Sequence, residues 1–290
     1  MAKMLKYPAL IFFILAIIYF GGKEFYMNQA TINSNSFPVQ LSNKQNNEKG
    51  FIQNKEIFET YLDDGWSLVW NDEFDNPQLD QAKWNIENWA AEKNEELQFY
   101  TPGNVKVQDG KLELISEMEK YQGRNYTSGA IHSKDKFFFE YGKVEIRAKL
   151  PHGKGIFPAF WMMPNQDNVW LPEIDILEML GHEPDRIWMV QHQLDENGNL
   201  QSESNSFKGA DYSKDFHLFG IEWTPSEIVW LIDGKEQFRT NTFQSPGNMY
   251  LYINTAVGGV WPGNPDASTI FPQSFFVDYV RVFQRIGEIR

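Results

Sequence analysis

From about residue 61 onward the sequence is a succession of short segments whose apolar residues alternate with polar ones, each closed by glycine, proline or Asp-Gly. Alternation with a period of two marks a half-buried strand, because successive side chains point to opposite faces. Over Phe137–Leu150, Val144, Ile146 and Ala148 fall on one face and Lys143, Glu145 and Arg147 on the other. Similar runs occupy Phe157–Met163, Ile187–Gln193, His217–Thr224, Ile228–Ile232, Met249–Ala256 and Phe275–Arg285. Asp109-Gly110 and Asp233-Gly234 each separate two such runs, and Asp-Gly suits the type I′ turn of a hairpin. Only one or two helical turns are expected, near Leu79–Trp84. Many evenly spaced strands with such turns predict an all-β antiparallel sandwich. Roughly 230 residues suffice for one domain of this kind, and no internal repeat or second domain is visible.

The N-terminus is of another character. Lys3 and Lys6 precede an apolar run from Tyr7 to Phe20, too short for the ~20 residues of a spanning helix. Residues 1–27 are therefore expected to be a secretory signal, or a signal anchor if uncleaved, since no small-x-small cleavage site is obvious. Residues 28–60, rich in Asn, Gln, Ser and Lys, read as a flexible tether with a short helix at Ile57–Leu62, and residues 61–290 as the functional domain. The expected location is extracellular, with membrane contact only through an uncleaved signal. The chain has no cysteine, which excludes disulfides, thiolate metal sites and a cysteine nucleophile. Its net charge of −13 argues against nucleic acid or anionic lipid as partner. A neutral substrate fits better, and a monomer is expected.

The chemistry concentrates in Pro172–Glu178 (PEIDILE). As a strand, this stretch puts Glu173 and Asp175 on one face and Ile174 and Ile176 on the other. Strict alternation would then send Glu178 into the core, where an unpaired charge costs roughly several kcal/mol. A β-bulge near Leu177, adding one residue, returns Glu178 to the acidic face. Residues two apart on one face lie within roughly 7 Å, so like-charge repulsion raises at least one of the three pKa values. A protonated acid beside an ionised one, about 5–5.5 Å apart, is what retaining glycoside hydrolysis requires. A solvated acidic face or a calcium site would carry the same residues.

Pro172–Gly181 (PEIDILEMLG) resembles the signature of glycoside hydrolase family 16, the laminarinase and lichenase family, in its bulged form E-x-D-x-x-E. Other stretches agree in order: Trp66–Asp75 (WSLVWNDEFD), Asn94–Thr101 (NEELQFYT), Tyr126–Gly129 (YTSG), Tyr141–Glu145 (YGKVE), Phe157–Pro164 (FPAFWMMP), Ala256–Gly263 (AVGGVWPG) and Val277–Phe283 (VDYVRVF). The resemblance implies a concanavalin-like jelly roll with a cleft across its concave sheet. It also implies an endo-acting β-1,3 or mixed β-1,3-1,4 glucanase, with Glu173 as nucleophile, Glu178 as acid/base and Asp175 tuning Glu173. A galactan hydrolase of the agarase or carrageenase kind, or a sugar-binding sandwich that cleaves nothing, are the alternatives.

Further residues follow from strand pairing and from the resemblance. If Ile187–Gln193 runs antiparallel to the acidic strand, Glu173 lies near His192, within one residue of bulge slip, and His192 can bond the acids or a sugar hydroxyl. The resemblance places Trp161, Trp170 and Trp261 as stacking platforms and Asn94 as a sugar contact, with Trp89 a further candidate. Each of these tryptophans could equally be core. Many laminarinases carry Arg where this sequence has Ala130, which removes a guanidinium fork from the expected cleft. No cofactor is expected for catalysis. The resemblance also implies a structural Ca²⁺ near Glu73, Gly110 and Asp278, whose oxygens suit a hard cation.

Overall fold

The structure, a computed structural model, describes residues 65–286. The expected signal (1–27), tether (28–60) and Ile57–Leu62 helix lie outside the described residues. Among those residues two eight-stranded sheets face each other, with a third of three short strands at the side. This is the antiparallel sandwich that the alternation predicts. No helix of the described residues is long and apolar enough to cross a membrane.

One sheet runs Leu200–Lys208, Arg186–Leu194, Glu173–Glu178, Ile156–Pro164, Met249–Val257, Ala130–His132 and Asn85–Ile86 in hydrogen-bonded order, with Phe138–Phe139 beside Met249–Val257. The other is built on the long strand Gln273–Arg285, which pairs with Trp66–Asp72, Lys111–Ser116 and Gly142–Lys149. Side-chain alternation sorts the two faces of the first sheet. Phe160 and Met162, Leu251 and Ile253, and Ile187 and Met189 enter one continuous core with Ile146, Phe219, Trp230, Val277 and Val280 of the opposing sheet. Their neighbours along the same strands, Ala159 and Trp161, Tyr252 and Asn254, Trp188 and Val190, line an open cleft on the outer face. Burying the first set removes apolar area from water at about 25 cal/mol per Å², and this fixes the register that exposes the second.

Of the one or two helical turns expected at Leu79–Trp84, the structure has a single turn. The Asp80 carboxylate accepts from the Ala82 amide at 2.9 Å, and its carbonyl accepts from Lys83 and Trp84. An aspartate that bonds the backbone two residues on closes a turn, and here nothing extends it into a helix. Trp84 then plunges into the core, with Nε1 donating to Asp72 at 2.9 Å.

Candidate active site

The acidic strand is bulged. On one flank Phe160 pairs with Leu177 while Trp161 pairs with Asp175, so one residue is extra; on the other, Asp175 pairs with Val190 and Glu178 with Trp188. The extra residue falls at Ile176–Leu177, and both side chains point into the core beside Ile174. Two consecutive apolar residues on one face let Glu173, Asp175 and Glu178 share the other, where all three line the cleft. From the opposite sheet Trp230 Nε1 donates to the Asp175 carbonyl at 2.8 Å and pins the strand just before the bulge. Glu173 pairs with His192 as the sequence predicts, and Glu178 with Trp188 on the far side of the bulge.

Burial sets the charge state of this group. Glu178 is pushed up to about 8, first by loss of water and then by the Glu173 carboxylate. Glu173 is raised to about 7 by burial, against the pull of its hydrogen bond with Asp175 and of the Lys93 ammonium. Asp175, 3% exposed between two glutamates, is raised well above the usual carboxylate range by burial and by both neighbours. The three cannot all ionise near neutral pH, so the face holds at least one proton beside a carboxylate. Burial lowers His192 to about 4 and keeps its ring neutral. Its Nδ1 lies 2.5 Å from Ser202 Oγ, and its Nε2 faces Asp175 Oδ2 at 3.5 Å and Glu173 Oε1 at 4.0 Å.

The cleft has a volume of about 460 Å³ and takes in every predicted binding residue: Asn94, Trp161, Trp170, His192 and Trp261, together with Trp89. Trp161 is held by a 2.8 Å bond from Nε1 to Asn254, which in turn donates to Tyr100. Trp170 is 43% exposed, and the Lys93 ammonium sits 3.3 Å over its ring. Trp261 meets Phe157 and Trp188 edge to face, each at 5.4 Å. Its loop is fastened to the Asn94 loop by Val260 N–H donating to the Asn94 carbonyl at 2.9 Å. Gly258 permits this approach, since its φ is +75° and a Cβ there would stand 2.5 Å from Leu97 Cγ. Ala130, in place of the expected arginine, is fully buried beside Tyr100 and Tyr252.

The model of the glycosyl hydrolases family 16 matches residues 84–280. The chain belongs to that family. A β-glucanase of Rhodothermus marinus is 36% identical over 252 residues, covering 76% of this chain and 85% of its own. An endo-1,3-1,4-β-glycanase of Rhizobium meliloti, EglC, is 32% identical over 77% of this chain, which spans 49% of that relative's length. Among solved structures, the laminarinase catalytic domain of Thermotoga maritima matches with a TM-score of 0.70 at 35% identity, over 76% of this chain and 99% of that one. The jelly-roll fold and the glycoside hydrolase class anticipated from the sequence are thereby established.

This family 16 cleft also contains groups that the sequence reading passed over. Tyr250, Tyr252 and Asn254 line it from one strand, and their alternation with Met249, Leu251 and Ile253 was the available signal. Trp188 carried the same signal, two strand steps of two from His192 and alternating with Ile187 and Met189, whereas Glu87, Lys93 and Glu96 had none, because loops and long-range pairing deliver them. Tyr252 donates to Glu87 at 2.9 Å. Trp188 Nε1 is buried with no hydrogen-bond partner among the described residues, a donor beside Glu178 that faces the cleft.

The three residues expected around calcium do come together. Glu73, Gly110 and Asp278 line a separate cavity of about 360 Å³ with Asp75, Arg147, Tyr279 and Arg281. Arg281 grips the Glu73 carboxylate at 2.9 and 2.8 Å, and Arg147 bonds Asp278 Oδ2 at 2.6 Å. Asp75 is raised by burial and by the nearby carboxylates of Glu73, Asp72 and Asp278. The carboxylates of Glu73, Asp75 and Asp278 are the oxygen donors a hard cation takes, with arginines already bonded to Glu73 and Asp278.

Proposed function

We propose that this family 16 hydrolase is an exported, monomeric, endo-acting β-glucanase that cleaves β-1,3 and mixed β-1,3-1,4 glucan with retention. The observation that carries the reading is the bulge that brings Glu173, Asp175 and Glu178 onto one cleft face. Glu173 attacks the anomeric carbon as the bond to the glycosidic oxygen breaks, and that oxygen takes the Glu178 proton. Glu178, now ionised, removes a proton from water, whose oxygen displaces Glu173 and restores both groups. Every proton and electron pair in these steps comes from substrate, water and the two carboxyl groups, so the reaction as written calls for no cofactor. The higher pKa of Glu178 suits the acid, and the pull of Asp175 and Lys93 on Glu173 suits the nucleophile. Trp161, Trp170 and Trp261 offer indole faces to pyranose C–H surfaces, while Asn94, His192 and the Trp188 N–H offer polar contacts.

Glucans are favoured over galactans because a β-glucanase and a glucan endo-1,3-β-glucosidase match 76% of the chain at 36% and 35% identity, against 29% for a keratan-sulfate endo-1,4-β-galactosidase over the same share. A polysaccharide panel with reducing-end release and product sizing is expected to show internal cleavage of laminarin and lichenan, with cellulose, agarose and carrageenan untouched. Rapid release from agarose or carrageenan with none from laminarin or lichenan would overturn the substrate and leave the catalytic roles standing.

Export is supported by Lys3, Lys6 and the apolar run that follows. A chain lacking residues 1–55 is expected to be soluble, monomeric on gel filtration and fully active; lost activity or insolubility would contradict the tether. A structural Ca²⁺ at Glu73, Gly110 and Asp278 would cross-brace strands far apart in sequence. EDTA is then expected to lower the melting temperature without changing kcat, and an unchanged melting temperature would remove the ion from the account.

A further inference from the structure

Glu173, Asp175 and His192 make a second kind of site on the face that performs hydrolysis. One ligand atom from each lies within 4.8 Å of the others. His192 Nε2 stands 3.5 Å from Asp175 Oδ2 and 4.0 Å from Glu173 Oε1. Two ligand atoms bound tetrahedrally to one ion by bonds of about 2.0–2.1 Å are themselves about 3.4 Å apart, so small side-chain rotations complete the set.

Two further observations point to a ligand. Asp175 Oδ2 is buried and has no hydrogen-bond partner among the described residues, although the side chain is only 4% exposed and its Oδ2 faces the His192 ring. His192 is oriented as metal-binding histidines are, with its far nitrogen, Nδ1, held by the Ser202 hydroxyl at 2.5 Å. When Nδ1–H donates to Ser202, Nε2 presents its lone pair to the two carboxylates. All three residues line the cleft, so a fourth ligand could come from water there.

We propose that Glu173, Asp175 and His192 bind a borderline divalent cation of the zinc class, and that the ion inhibits the enzyme reversibly by occupying the nucleophile. One imidazole and two carboxylates with an open fourth position are the donor set of Zn²⁺, Co²⁺ and Cu²⁺, whereas Ca²⁺ and Mg²⁺ require more oxygens than the site offers. The site is distinct from the cavity at Glu73 and Asp278, and it does not depend on which polysaccharide the enzyme cleaves.

The test uses Co²⁺ as a visible probe on the full chain, in excess Ca²⁺ so that the other cavity is not read. The expected result is a saturable 1:1 absorption of the intense tetrahedral type, displaced by Zn²⁺ and absent in His192→Gln. Ser202→Ala, which removes only the orienting hydroxyl, is expected to weaken binding about 10- to 100-fold. Should His192→Gln fail to fold, the isosteric Glu173→Gln takes its place and is likewise expected to lose the tetrahedral signal. Zn²⁺ is expected to inhibit hydrolysis over the same concentration range in which it displaces Co²⁺. A weak octahedral spectrum in the unaltered chain, or wild-type binding in both His192→Gln and Glu173→Gln, would overturn the proposal while the hydrolase reading stood.

Discussion

Glu173→Gln is expected to abolish glucan hydrolysis, with kcat lowered by roughly 10³-fold or more, since no other carboxylate on this face can take the nucleophile's place. Glu178→Gln is expected to lose a similar factor on laminarin, but for a different reason. It still has its nucleophile and lacks only the proton for the leaving group. An aryl β-glucoside chain whose leaving group needs no proton separates the two. Glu178→Gln should release the aryl alcohol in a burst as the glycosyl-enzyme forms, whereas Glu173→Gln should release none. Bursts from both variants, or from neither, would contradict the assigned roles. Asp175→Asn is expected to cost less than either, because that side chain adjusts Glu173 rather than bonding to substrate.

The second large effect is on stability, and its sign follows from the raised carboxyl groups. Glu178 is raised from 4.5 to about 8 by folding and Glu173 from 4.5 to about 7. Between those limits the native state holds protons that the unfolded chain has released, so stability falls as pH rises from 4.5 through about 8. Below 4.5 both states are protonated and the penalty vanishes. Glutamine cannot ionise, so Glu178→Gln is expected to be more stable than the unaltered enzyme by roughly 2–4 kcal/mol at about pH 8.5 and nearly equal to it below pH 4.5. For a domain of this size that is a rise in Tm of about 5 °C or more at the alkaline end. Thermal denaturation of both proteins at the two pH values measures it. A Glu178→Gln enzyme that gains nothing at alkaline pH, or gains equally at both, would show that burial of this carboxyl does not strain the fold.

The acidic face was legible because its sequence breaks a rule. Ile174 and Ile176 set a period of two that would bury Glu178, and a bulge was the least costly repair. The partner of Glu173 was legible too, since a short turn after Gly181 fixes the antiparallel register to His192. The remainder of the cleft depended on contacts between distant segments. Lys93 over Trp170 joins two loops, and Glu87 meets Tyr252 across 165 positions of sequence, which no local period encodes. At Leu79–Trp84 the expected one or two turns are a single one, which the Asp80 side chain closes. At the cavity of Glu73, Gly110 and Asp278 the sequence offered only scattered acids, and the arginines that hold two of them come from separate strands.

The central claim is double displacement by Glu173 and Glu178 on one bulged strand. Proton NMR of laminarin during the first moments of cleavage tests it most directly, because two inversions at the anomeric carbon return the β configuration. The β-anomer of the new reducing end is expected first, with the α-anomer growing later as the sugar mutarotates. Initial appearance of the α-anomer would mean a single displacement by water and would contradict the mechanism.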